Sequence, residues 1–164
     1  MEHRDTLLTL AEIAVALAGF TGIVGVLGRR AQDPTRAISW FRLRAMLEIA
    51  LRNAAFAVLP IPFLDLVSPE TVVWRVASGA YFLAVIAYIL LRRRSESATT
   101  VGQTLGSPFL VLLPISLFAC IANVLGLAGP NAVSLYLLSL VLGLVTAGML
   151  FLSVAATFFN EEGE

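Results

Sequence analysis

The stretch LRAMLEIALRNAAFAVLPIPFLDL, residues 43–66, is long enough to cross a lipid bilayer, yet Arg44, Glu48, Arg52 and Asn53 interrupt it. A spanning helix needs about 20 mostly apolar residues. Taken alone, the stretch fits either a transmembrane helix or an amphipathic helix lying on the membrane surface. Its neighbours choose between them. Arg29, Arg30, Arg36, Arg42 and Arg44 cluster on its N-terminal side, and Arg92, Arg93 and Arg94 follow the next apolar run. Basic loops stay in the cytoplasm. Two crossings must then separate the clusters, so residues 43–66 span.

The same reading extends along the chain. Apolar runs at 7–28, 43–66, 71–91, 105–127 and 132–159 predict an all-α, polytopic integral membrane bundle of five transmembrane helices in a single domain, 1–164. Four spans plus one interfacial amphipathic helix is the alternative. The connections 67–70 and 128–131 are short and lack Arg, as outside turns should. The expected topology puts the N-terminus outside and the C-terminus in the cytoplasm, with the cell inner membrane as location. The leading residues 1–6 carry two acids against Arg4 and lack a basic n-region, so the first run reads as a mature span, not a cleaved signal peptide. Ser68-Pro69-Glu70 predicts a helix start, and Gly129-Pro130-Asn131 a tight turn. Pro60, Pro62 and Pro114 should kink or unwind their spans.

Composition agrees. Hydrophobic types make up 59% of the 164 residues and charged types 13%, against roughly half and about a quarter in ordinary globular domains. A soluble core of this size cannot hide so much apolar surface.

The counts also exclude chemistry. All eleven basic residues are Arg, so no lysine is present for Schiff-base or P-loop work. One His (His3) and one Cys (Cys120) cannot make a zinc or iron–sulfur site within one copy. No cofactor is expected, and no nucleophile stands beside a base, so an enzyme is not expected. Eleven acids balance the eleven Arg, leaving no net charge to draw nucleic acid.

In lipid, helices associate where small residues let backbones approach. Ala11, Ala14, Ala18, Thr21, Gly25 and Gly28 follow a three-four spacing on the first helix, with Gly19 and Gly22 beside them. Ala18, Gly19, Gly22 and Gly25 are therefore expected at a packed interface. Ser116, Cys120 and Asn123 share a face of the fourth long helix, and Ser139, Gly143, Thr146 and Ser153 a face of the fifth. Such stripes serve either as interhelical hydrogen-bonding seams or as walls of a polar conduit.

Ionisable groups at membrane depth usually have a partner or a purpose. Glu48 and Arg52 are spaced for an intrahelical pair, which Arg44 extends. Counting about 1.5 Å per residue places Glu12, Arg75 and Asn123 at one level, roughly 8–10 Å from the midplane. A Glu12–Arg75 pair with Asn123 beside it is then expected, unless Arg75 snorkels to the interface. Trp40 and Trp74 mark the two interfaces.

Two functions stay open. One is a homo-oligomeric channel or small transporter for cations or protons, with Glu12, Asn123, Thr21, Ser116 and Thr146 along the pathway. The other is a non-transporting accessory or assembly module. In it Arg29, Arg30, Arg92, Arg93 and Arg94 contact lipid headgroups or a partner, and the charge pairs are packing devices. The run Leu10–Ala14 followed by Ala18–Gly22 resembles small bacterial membrane proteins, a resemblance that implies no particular activity.

Overall fold

An apolar segment in lipid has no water to satisfy its peptide groups, so its backbone must close its own hydrogen bonds as helix. The computed structural model describes residues 2–28, 35–95 and 98–160, with side-chain surroundings at 3–24, 42–92 and 111–155. The described chain folds as α1 (Glu2–Gly28), α2 (Thr35–Val58), the single turn α3 (Ile61–Leu64), α4 (Glu70–Ser95), α5 (Ala98–Val124), a 3₁₀ turn at Gly129–Asn131 and α6 (Ala132–Asn160). Among the described residues four stretches are long and apolar enough to cross a membrane: His3–Val24, Arg42–Leu64, Glu70–Arg92 and Gly129–Ala155. The charged second segment is among them. In α5 the described apolar part is Val111–Val124.

The prolines act differently at the two sites. At the end of α2, Pro60 has no N–H to offer the carbonyl of Phe56, one turn back. The Tyr136 hydroxyl donates to that carbonyl instead, and the chain breaks into α3, capped by Pro60. Pro114 lies inside α5, which continues through it.

α6 sits at the centre, packed on α1, α2, α4 and α5, while α1 lies mainly against α2. Leu7, Ala11, Ala14, Ala18 and Thr21 are buried along α1, a four-three repeat that fixes its inner face. Gly19 and Gly22 are exposed, with open space around them. Within the protomer they do not join the packed face of Ala11, Ala14 and Ala18: they lie on the outer side of α1. Gly25 lies outside the residues whose surroundings are described. One core gathers Leu7, Trp74, Tyr81, Cys120 and Tyr136. The other joins Ala45, Met46 and Ile49 of α2 to Ala147 and Leu150 of α6. Large apolar side chains such as Phe118, Leu83, Leu152 and Ile23 face outward at 59–73% exposure, the arrangement that lipid favours and water does not.

α5 ends in a Schellman motif. The Gly126 N–H donates to Asn123 O at 3.0 Å and the Leu127 N–H to Ala122 O at 3.0 Å. This needs a left-handed residue, and Gly126 has φ +78°. Gly126→Ala is expected to lower stability by about 1–2 kcal/mol through backbone strain. Thermal unfolding in detergent measures it. Because the strain is in the backbone, Arg75→Ala should not rescue it, although Arg75 Nη2 would sit 2.7 Å from the new Cβ.

Candidate functional site

The polar residues within the apolar spans include an interior network and, on the outside, Glu12. In the interior, Asn53 of α2 donates through Nδ2 to Ile49 O at 3.1 Å and accepts from the Tyr81 hydroxyl at 3.2 Å. Tyr81 also reaches Ser139 O at 3.5 Å. Ser116 and Ser139 exchange hydroxyl-to-carbonyl bonds at 3.4 and 3.3 Å across α5 and α6. Cys120 Sγ donates to Ser139 Oγ at 3.3 Å. Gly143 makes room for this cluster: a Cβ there would lie 2.5 and 2.6 Å from the Asn53 amide atoms and 2.8 Å from the Tyr81 hydroxyl. Asn53 and Tyr81 thus occupy the space a side chain at position 143 would fill.

Asn123 is wholly buried. Its Nδ2 donates to Ser78 Oγ at 2.7 Å and Ala132 O at 2.8 Å, joining α4, α5 and the start of α6. Thr21 donates to Leu17 O at 2.7 Å and Thr146 to Leu142 O at 2.8 Å, each back along its own helix. Ser116, Thr21 and Thr146 are all buried. These residues spend their donors inside the protomer.

Glu12 is different. It is exposed on the outer side of α1, near Gly19 and Gly22, and among the described residues no side chain pairs with it. The expected Glu12–Arg75 pair does not form. The His3 ring meets the Trp74 ring at 6.2 Å, which levels Arg75 with the start of α1. Glu12 lies nine residues further, roughly 13 Å deeper. Arg75 is exposed and lies against the Gly126 turn, as the snorkelling alternative allows. Glu12 lies inside the apolar stretch His3–Val24 of the described part of α1, nine residues from its start.

The expected Glu48–Arg52 pair is also corrected. Glu48 Oε1 accepts from Arg44 Nε at 2.8 Å, and Oε2 faces Arg92 Nη2 at 3.6 Å. Arg52 instead lies over two rings, with Cζ 5.8 Å from the Tyr81 centroid and 5.1 Å from that of Tyr88. Arg92 stands 5.4 Å from the Tyr88 ring and is only 8% exposed. Its assignment to lipid headgroups fails for that reason: its charge is turned inward onto Glu48 and Tyr88. Arg29, Arg30, Arg93 and Arg94 lie outside the residues whose surroundings are described.

Sequence reasoning missed Tyr81, Tyr88 and Asn53 as organisers of the interior. The available signal was Gly143 within the Ser139–Thr146 stripe of α6, although Gly148 of the same helix has open space around it, so glycine alone does not mark a close approach. Among the described residues no group of acids, His and Cys is placed to hold a metal. No family model, curated protein or solved structure matches this chain.

Proposed function

We propose that this membrane protein assembles from several copies and conducts cations or protons along a path between them, lined by the outer face of α1. The observation that carries this reading is Glu12. A carboxylate inside an apolar stretch, exposed and without a partner among the described residues, is unfavourable against lipid by a few kcal/mol on insertion scales. A neighbouring copy or water relieves that. Gly19 and Gly22 on the same side leave open space for close helix approach.

The path lies between copies because the protomer interior is occupied by packed side chains and by the Asn53–Tyr81–Ser139 network. Thr21, Ser116, Asn123 and Thr146 then serve packing rather than permeation. A ring of carboxylates on such a path favours cations. We further place the protein in a bacterial inner membrane with its N-terminus outside, on the distribution of Arg along the chain. The inward bonding of the polar stripes favours the second reading, an accessory module acting through a partner helix.

Water access separates the two. Glu12→Cys in a Cys120→Ala background is treated with a charged, membrane-impermeant thiol reagent in liposomes. Rapid labelling, together with a multimer in mild detergent, is expected. Protection of position 12 in a monomeric particle sinks the permeation reading.

A further inference from the structure

Arg52 is an ionisable group at mid-depth. The apolar stretch of its segment runs from Arg42 to Leu64, so Arg52 sits within one residue of its centre. Unlike Glu12, it points into the bundle. Its Nε and Nη1 are buried and have no hydrogen-bond acceptor. The one acid a turn away, Glu48, is engaged with Arg44 and Arg92. Arginine does not shed its proton in proteins. Two of the three guanidinium nitrogens of this half-buried cation therefore lack an acceptor, and among the described residues no carboxylate forms an ion pair with it.

The rings of Tyr81 and Tyr88 ease this only in part. Each attracts the charge with its π face, but a ring face offers no lone pair to an N–H. Beside Arg52 lies a cavity of about 20 Å³ bordered by Ser116, Gly143, Thr146, Val85 and Leu113. That is room for one particle of about water size, which needs about 10–15 Å³ or more on this measure. The hydroxyls on its wall already donate elsewhere: Ser116 to Ser139 O, Thr146 to Leu142 O and Tyr81 to Asn53. The unspent donors on the lining are those of Arg52. A water there would satisfy the N–H groups but leave the charge; a small anion does both.

We propose that Arg52, held between Tyr81 and Tyr88, binds a single halide-type anion in this cavity. Chloride is the chemistry that fits, since the free donors belong to one guanidinium and the room beside them is that of about one small particle. The inference does not rest on the Glu12 reading.

The test uses the full chain in detergent. Chloride-35 line widths and the thermal unfolding midpoint are compared in sodium chloride and sodium gluconate at equal ionic strength. Chloride is expected to broaden its line in a manner that bromide displaces. It should also raise the midpoint by about 3–5 °C at tenfold excess over its Kd. Arg52→Gln should abolish both effects, Arg52→Lys should keep part of them, and Arg75→Gln, at the distant Gly126 turn, should keep them in full. Identical behaviour in chloride and gluconate, as a bound water would give, overturns the proposal. So does a full chloride response in Arg52→Gln, or an equal response to phosphate. Where Arg52→Gln does not fold, the wild-type comparison of chloride with gluconate and phosphate decides alone.

Discussion

Gly143→Ala is expected to destabilise the bundle by about 3 kcal/mol or more, the sum of an overpacking strain and a disrupted buried hydrogen bond. The added methyl carbon would meet three atoms of two residues at once, all within 2.8 Å. Neither residue yields freely. Asn53 is anchored to Ile49 O and is 2% exposed, and the Tyr81 ring is 1% exposed. Alanine's better helix propensity returns only about 1 kcal/mol. Asn53→Ala should do less damage, about 1–2 kcal/mol, because single interhelical hydrogen bonds within membranes average only about 0.6 kcal/mol. The pair Asn53→Ala with Gly143→Ala should be less damaging than the sum of the two, since removing the amide clears two of the three clashes. Denaturant or thermal unfolding of the four proteins in one detergent gives the cycle. A Gly143→Ala loss below about 0.5 kcal/mol would mean that the helices separate easily at this contact, and that the seam is not close-packed.

How far the fold was legible follows from what each signal measures. Length and apolarity mark the helices, because lipid leaves the backbone no alternative; α2 was ambiguous only while its charges were counted without its neighbours. Turn chemistry was equally direct at Gly129-Pro130-Asn131, which forms a 3₁₀ turn. Faces were harder. On a helix apolar all round, small residues occur on both sides, so Gly19 and Gly22 were grouped with Ala11, Ala14 and Ala18 although they fall outside that spacing. Only packing distinguishes them. Depth was less secure than spacing: counting along each helix set Glu12 level with Arg75, whereas the His3–Trp74 ring contact puts Arg75 beside the start of α1. For Glu48 the sequence offers Arg44 and Arg52 at equal separation. The usual preference for acid before base selects Arg52, but the Tyr81 and Tyr88 rings, distant in sequence, draw Arg52 away. The site therefore depended on contacts between helices, which periodicity along one helix does not encode.

Glu12→Gln should reduce cation or proton flux into liposomes about tenfold or more, the scale on which a like-signed cleft concentrates its counter-ion. Glutamine keeps the length and hydrogen-bonding capacity of the side chain while removing the charge. The effect on stability should have the opposite sign to the effect on flux. A charge within a spanning helix is unfavourable by up to a few kcal/mol on insertion scales, so its removal should leave the assembled particle unchanged or more resistant to detergent. A carboxylate retained only to lock a partner helix behaves in the contrary way: its loss leaves the partner's charge unpaired and weakens assembly. Flux and particle size measured on the same preparation therefore tell the two roles apart. Lower flux from an intact multimer places the acid on the path. Unchanged flux from that multimer removes it from the path, and a dissociated particle assigns it to assembly. Gly19→Leu provides the companion measurement, because position 19 is open in the protomer: the fold of each copy should survive, while a close approach between α1 helices should not.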